Sequence, residues 1–279
     1  MTARLELKRY DIATGIEAFS TTRHGGSSKG DFGEFNINPY CGDCLEDISA
    51  NRHALAEALG IEEGRIIMPH QTHDTEIRMI AQDFFSLPGN IRKMVLEGVD
   101  AVMTKETGVC IGVSTADCMP ILLYDPENRA VCAVHAGWRG TVAGIILKAI
   151  MAMRTSYGTR PAALKAVIGP GISLEAFEVG DEVYAEFENA KFNMSSVSKR
   201  MPRIDLNTGN PVLTCEGLPE LRWHIDLAEC NRQLMLSCGM EEDAIQNCGI
   251  CTYNNAEDYF SARRLGPQSG RIFSGIILK

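Results

Sequence analysis

The chain has 279 residues, 45% hydrophobic and 23% charged, which is the balance of an ordinary soluble globular protein. Its formal net charge of −9 argues against a nucleic-acid surface, which would need a basic stripe. No apolar run approaches the roughly 18 residues of a membrane span, and a core of this size folds without a disulfide or metal staple, so any bound metal is expected to be functional.

The opening stretch MTARLELKRYDIATG has no apolar signal-like run, so a cytoplasmic chain with reduced cysteines is expected. TTRHGGSSKGDFGEFNINPYCGD is rich in Gly, Ser, Asn and Asp and reads as a long loop, a type that often carries function. SANRHALAEALGI predicts a helix capped by Ser49 and closed at Gly60. RIIMPHQTH reads as a strand running into a polar end. GVDAVMTK and GVCIGVSTADC read as valine-rich strands, and PILLYDPENRAVCAVHAGWRG as two strands across an Asp-Pro-Glu-Asn turn. TVAGIILKAIMAMRTSYG predicts one helix, LKAVIGPGI a strand broken at Gly-Pro-Gly, and EVGDEVYAEFEN a helix. HIDLAECNRQLMLSCGM predicts a helix ending at Gly239, and GRIFSGIIL a closing strand. Strands often follow one another directly, which points to an α+β fold with mixed or antiparallel sheets.

Of ten cysteines, Cys110, Cys132, Cys230 and Cys238 lie in apolar surroundings and are expected to pack. Cys41 and Cys44 form a CxxC, but the partner pair at zinc-finger spacing is missing, since Cys248 and Cys251 are far away in sequence. No βαβ context surrounds the CxxC, so a thioredoxin-like role is not expected either.

Three segments share one design: an apolar strand ends and at once presents polar residues. They finish at His73, Cys118 and His135, and strand ends gather at one sheet edge. Two imidazoles and a thiolate are favoured zinc ligands, and three protein ligands with an open position is the catalytic pattern. The bland alternative is hydrogen-bonded histidines at strand ends and a packed cysteine. HQTH offers His70 as well as His73. On a strand these would face opposite ways, and His73 lies nearer the polar end. In HAGWRGTVAGII a strand, a glycine-flanked turn and a helix start make an anion-binding arrangement, with Gly137 and Gly140 allowing close approach and Arg139 adding a guanidinium. Arg23, Arg263 and Arg264 are further candidate cations, and Asp117 a candidate proton carrier.

The stretches TTRHGG, NRHALAEALG, PHQTH, STADCMPILLYD, VHAGWRGT, IGPGISLEAFEVGDEV and CTYNNAEDYFSARRLGPQSGR resemble, in order and over nearly the whole chain, the laccase-domain family, also called multicopper polyphenol oxidoreductase or peptidoglycan-editing-factor proteins. The resemblance implies one α+β domain over residues 1–279, with two packed mixed sheets flanked by helices in α/β/β/α layers. It implies a metal on His73, Cys118 and His135, and matches Arg23, Arg263 and Arg264 to family motifs. It further implies a purine nucleoside enzyme that phosphorolyses adenosine, inosine and methylthioadenosine and deaminates adenosine. Arg23, Arg139 and the HAGWRG amides would then position phosphate. Small-molecule substrates are expected, with no nucleic-acid or membrane partner, and the oligomeric state is left open.

Six histidines with no His-x-His pair cannot build a multicopper centre, so one ion is expected. Zinc is the choice by ligand softness, with Cu²⁺ as a substitute because copper out-competes zinc at N/S sites. Two further readings stay open at this level. One is a metal-free hydrolase with Cys118 as nucleophile and His135 as base, although no third partner for the imidazole is evident. The other is a metal-stabilised binding protein linked to cell-wall editing.

Overall fold

A computed structural model describes residues 5–204 and 210–279. Its strands are β1 (Leu7–Tyr10), β2 (Ile16–Thr21), β3 (Ile66–Ile67), β4 (Ile77–Ile80), β5 (Ala101–Thr104), β6 (Cys110–Thr115), β7 (Met119–Asp125), β8 (Ala130–Ala136), β9 (Lys165–Ile168), β10 (Glu178–Val179), β11 (Ser198–Pro202), β12 (Leu221–Ile225), β13 (Ile245–Asn247) and β14 (Ile272–Leu278). The helices are α1 (Leu45–Leu59), α2 (Gly89–Val95), α3 (Trp138–Val142), α4 (Ile145–Tyr157), α5 (Asp181–Asn189), α6 (Met194–Val197), α7 (Leu227–Ser237) and α8 (Ala262–Leu265).

Two mixed sheets form the body, one ordered β1-β2-β14-β6-β3 and the other β13-β9-β7-β8-β5-β4, with a small β10-β12-β11 sheet beside them. Residue alternation sets the layers. In β7, Leu122 and Tyr124 join Val131 and Ala133 of β8 against Ile111, Val113 and Ile276 of the other sheet. Ile121 and Leu123 face the opposite way, onto Ile146, Ala149 and Met153 of α4 and Cys230 and Met235 of α7. The outer face of the five-stranded sheet packs Phe19, Cys110 and Phe273 on Leu55 and Leu59 of α1. Strands covered on both faces read as unbroken apolar runs, which is why β7 and β8 are buried along their full length. The two-sheet α+β arrangement with α/β/β/α layers is therefore as expected. Among the described residues, no helix is long and apolar enough to cross a membrane.

Several boundaries differ from the sequence reading. α1 begins one turn before Ser49, with Cys44 as its N-cap, and Glu46 and Asp47 sit in its first turn, where negative charge suits the helix dipole. Gly60 closes it in the left-handed conformation, as expected. The helix read as one piece from Thr141 to Gly158 is two, because Gly144 takes φ 72° and breaks α3 from α4. The first residues of HIDLAEC belong to β12. α7 starts only after Asp226, whose side chain accepts from the Glu229 amide at 2.9 Å. RIIMPHQTH forms only the two-residue β3 before the chain leaves the sheet.

Candidate metal centre

The β7–β8 hairpin supplies two of the three expected ligands. Cys118 ends the short turn from β6 and immediately precedes β7, while His135 is the penultimate residue of β8, and the antiparallel register sets Pro120 opposite His135. The third, His73, stands on the loop between β3 and β4. One ligand atom from each of His73, Cys118 and His135 lies within 4.8 Å of the others. The two imidazole rings meet edge to face with centroids 4.8 Å apart. His135 is buried, Cys118 half-buried and His73 exposed, so the cluster opens to solvent on the His73 side.

A residue the sequence reading missed organises this cluster. Asp100 is fully buried at the start of β5. Its Oδ1 accepts from the His73 amide at 3.0 Å and from His135 Nδ1 at 2.7 Å, and its Oδ2 accepts from the amides of Thr72 at 3.1 Å and Asp74 at 2.9 Å. Its carbonyl also accepts the His135 amide at 2.8 Å. One carboxylate thus wraps the loop carrying His73 around itself and holds a proton on His135 Nδ1, so that Nε2 is the nitrogen that would take a metal once it gives up its own proton. Burial alone would raise this carboxyl. The hydrogen bond and charge of His135, with the amides of Asp74 and Thr72, carry it below the ordinary carboxylate range. The signal in the sequence is an aspartate inside the apolar run GVDAVM, where only a paired carboxylate can be buried.

The wrapped loop also answers the choice within HQTH. Residues 70–73 are not a strand, and His73 adopts φ 63°, a left-handed conformation that is strained for a side chain with a Cβ. His70 turns away, bonds Glu97 at 2.7 Å through Nδ1 and stacks on Tyr40. Between them, Gln71 clamps the loop to β6, its Nε2 donating to the Ser114 carbonyl at 2.9 Å and its Oε1 accepting the Ser114 amide at 2.8 Å.

Electrostatics favour a deprotonated thiol. Enclosure would raise the Cys118 thiol, but the charge of His135 and hydrogen bonds from His135 and His73 pull it well below the usual thiol range. Burial would in turn lower His135, yet the facing thiolate and Asp100 raise it. Gly137 keeps room for the cluster. A Cβ there would stand 3.0 Å from Cys118 Sγ and 3.1 Å from His73 Cδ2.

At Gly140 a Cβ would make ordinary van der Waals contact, 3.4 Å from Ile145 and 3.5 Å from the Asp74 carbonyl, so space does not demand a glycine there. Arg139 is exposed, with its guanidinium over the half-buried Trp138 ring at 4.3 Å. α3 has only five residues. Asp117 takes φ 87°, and its Oδ1 accepts from Thr252 Oγ1 at 2.7 Å and its Oδ2 from the Arg263 amide at 2.7 Å, which ties the C-terminal segment to the turn beside Cys118. The Arg263 guanidinium donates to the Glu178 carbonyl at 3.1 Å. Arg264 Nη1 donates to the Tyr253 carbonyl at 3.0 Å. Arg23 is a cross-brace: Nε donates to the Gly33 carbonyl at 2.9 Å, Nη1 to the Ala256 carbonyl at 2.7 Å, and the guanidinium lies 5.0 Å over Phe260.

The donors fit one borderline or soft ion: a thiolate, two imidazoles, one of them oriented by a carboxylate, and an open side. His24, His53 and His70 each pair with a carboxylate, and His224 bonds the Leu174 carbonyl. Among the described residues there is accordingly no second histidine cluster for further coppers.

Comparison with known proteins gives a consistent result. Residues 17–279 match the family model described as multi-copper polyphenol oxidoreductase laccase. A purine nucleoside phosphorylase from Bacteroides thetaiotaomicron is 41% identical over 94% of this chain and 92% of its own. Adenosine deaminase RL5, from an unknown prokaryotic organism, is 38% identical over 99% of this chain and 100% of its own. The crystal structure of YlmD from Geobacillus stearothermophilus superposes with a TM-score of 0.79 at 30% identity, covering 95% of this chain and 93% of that one.

Proposed function

This chain belongs to the multi-copper polyphenol oxidoreductase laccase family, and from that premise we propose that it is a metal-dependent purine nucleoside enzyme. In this reading it phosphorolyses adenosine, inosine and S-methyl-5′-thioadenosine and deaminates adenosine. The observation that carries the reading is the solvent-facing His73–Cys118–His135 cluster on its Asp100 anchor, in a chain whose full-length relatives bear both activities in their names. We assign the ion as one zinc, with copper as a substitute.

When bound, zinc supplies Lewis acidity and a nucleophilic oxygen near neutral pH. The chain's residues do the rest. Cys118 and His135 are the buried side of the cradle. Asp100 holds the Nδ1 proton of His135 so that Nε2 faces inward, and Gly137 leaves the space in which Cys118 and His73 approach each other. Arg139 follows Gly137 by two residues and stays exposed. In this reading the guanidinium groups of Arg139 and Arg263 meet phosphate and offset charge as a glycosidic bond breaks; Arg263, whose amide bonds Asp117 beside Cys118, first releases the Glu178 carbonyl. Arg23 and Arg264 act on the same site indirectly, by fixing loop carbonyls. As a proton carrier, Asp117 takes the proton on a lone pair left over by Thr252 and the Arg263 amide, one of which bonds each of its oxygens.

The test is to incubate zinc-loaded protein with adenosine, with and without phosphate, and follow adenine, hypoxanthine and inosine by chromatography. Phosphate-dependent base release and phosphate-independent inosine, both lost in His135→Ala, are expected. No turnover by folded, metal-replete protein refutes the reading.

The metal-free hydrolase gains one point of support. Asp100 is the third partner that the sequence lacked, giving a Cys118–His135–Asp100 relay. Thiol alkylation separates the two readings, because a zinc-held thiolate is protected until a chelator is added, whereas a free catalytic thiolate reacts at once.

A further inference from the structure

α1, α2 and the edge strand β3 line an open-mouthed cavity of about 390 Å³, none of whose lining residues is a member of the metal cluster. Pockets of about 300–1,000 Å³ with mostly apolar walls and a few placed polar groups are the usual size and make-up of small-molecule sites. Met68, Phe84 and Leu96 supply apolar wall, and the charged residues lining it are Arg52, Arg92 and Lys93. No described residue that lines it is acidic, although the chain carries nine more acidic than basic side chains. Arg52 is engaged, donating to the Ile66 carbonyl at 3.1 Å and lying 3.6 Å from Glu63. Among the described residues neither Arg92 nor Lys93 has an ion pair or side-chain hydrogen bond, and Arg92 is nevertheless half-buried. Their position in the last turn of α2 suits the helix dipole and accounts for positive charge there. It does not account for two cations left without carboxylates at the mouth of an apolar hole.

From this juxtaposition we propose that the cavity is a second binding site, for a small molecule that joins an apolar, ring-sized body to one anionic group such as a carboxylate or sulfonate. The body lies against Met68, Phe84 and Leu96, and the anion takes the free donors of Arg92 and Lys93. Tyr40 lines the same cavity and stacks on His70 with ring centroids 4.0 Å apart, so His70, three residues before the ligand His73, reports occupancy.

The probe is 8-anilinonaphthalene-1-sulfonate titrated into the full-length folded protein. The expected result is a saturable fluorescence rise with one dye per chain, together with a shift of the His70 ring resonances. Naphthalene-2-carboxylate competes, while the neutral naphthalene-2-carboxamide and inorganic phosphate do not. Arg92→Ala and Lys93→Ala each weaken binding on the order of tenfold, the size of one charge-assisted hydrogen bond. Arg154→Ala, an exposed cation at the end of α4, leaves it unchanged, as does His135→Ala, which separates this site from the nucleoside reading. Equal binding by wild type and the Arg92/Lys93 double variant overturns the proposal. So does equal competition by the carboxamide (an apolar hole alone), competition by phosphate alone (a bare cation pair), or loss of dye binding in folded His135→Ala (dye at the metal centre).

Discussion

The two ends of the β7–β8 hairpin are each pinned by a fully buried aspartate, and they differ in how far those aspartates reach. At the turn end, Asp125 accepts from the amides of Glu127 at 2.9 Å and Asn128 at 3.1 Å and from Asn128 Nδ2 at 2.8 Å, all within three residues. At the metal end, Asp100 accepts from groups 26 to 35 residues away in both directions along the chain. The turn end is a local side-chain-to-backbone motif that any Asp-Pro-Glu-Asn can form. The metal end exists only once three segments have met, so there the same chemistry organises a site, while at the turn it chiefly closes a loop.

Asp100→Asn breaks the comparison most sharply. The amide keeps one acceptor but turns a donor toward amides and His135 Nδ1–H that need acceptors, leaving buried donors unpaired. A loss of about 3–5 kcal/mol in denaturant-measured stability is expected. Metal affinity, measured by chelator competition, should fall about 10–100-fold, as when an orienting carboxylate is removed. Unchanged affinity would show that the hairpin alone sets the ligand geometry.

Gly137→Ala comes next. The added methyl must displace Cys118 Sγ or the His73 ring from 3.0 and 3.1 Å, an overpacking cost of about 1–3 kcal/mol, concentrated on the ligands themselves. Zinc affinity should drop more than thermal stability, which calorimetry of metal-free and zinc-loaded protein resolves. A variant that binds zinc like wild type would refute the close approach.

Asp125→Asn acts at the other end and should leave metal affinity untouched, at a cost of about 1–2 kcal/mol. Burial works against ionisation of Asp125, but the Thr159 hydroxyl, the Asn128 side chain and the amides of Asn128 and Glu127 hold its carboxyl below the ordinary range. A folded-state value below the unfolded one, near 3.9, means the stabilisation is complete above about pH 4 and is lost as pH falls through the folded-state value. Stability of the wild type should thus fall with acid below about pH 4, and the part due to Asp125 should vanish in the variant. A slope identical in both proteins would deny Asp125 its charge.

This local-against-distant contrast also explains what the sequence reveals. The β7–β8 pair and its turn are legible because apolar runs and an Asx-type turn are short-range signals. His73, Cys118 and His135 are legible as polar residues that end apolar runs. Asp100 is not, because its partners are mostly backbone amides that no residue type announces. β2 is obscured because its end is polar: Ser20 and Thr21 are buried, with Ser20 hydrogen-bonded to Ser274 of β14. The anion-site reading of HAGWRG rests on a motif that fits two demands, and at Gly137 the structure shows one of them, room for the cluster.

The smallest effect concerns HQTH, where two histidines three residues apart look interchangeable in the sequence. His70 bonds Glu97 and stacks on Tyr40 at a partly exposed position, and such surface pairs contribute about 0–1 kcal/mol. His70→Ala should therefore change stability by less than about 1 kcal/mol. It should also leave zinc affinity within a factor of about two, because the loop is held by Asp100 and Gln71 rather than by the side chain at position 70. His73→Ala, on the exposed side of the cluster, should keep the fold and lose most of the metal affinity. Measuring both by chelator competition sharpens the comparison, because it sets a residue oriented by the distant aspartate against a neighbour that is not. Equal losses would mean the loop, and not the ligand, carries the affinity.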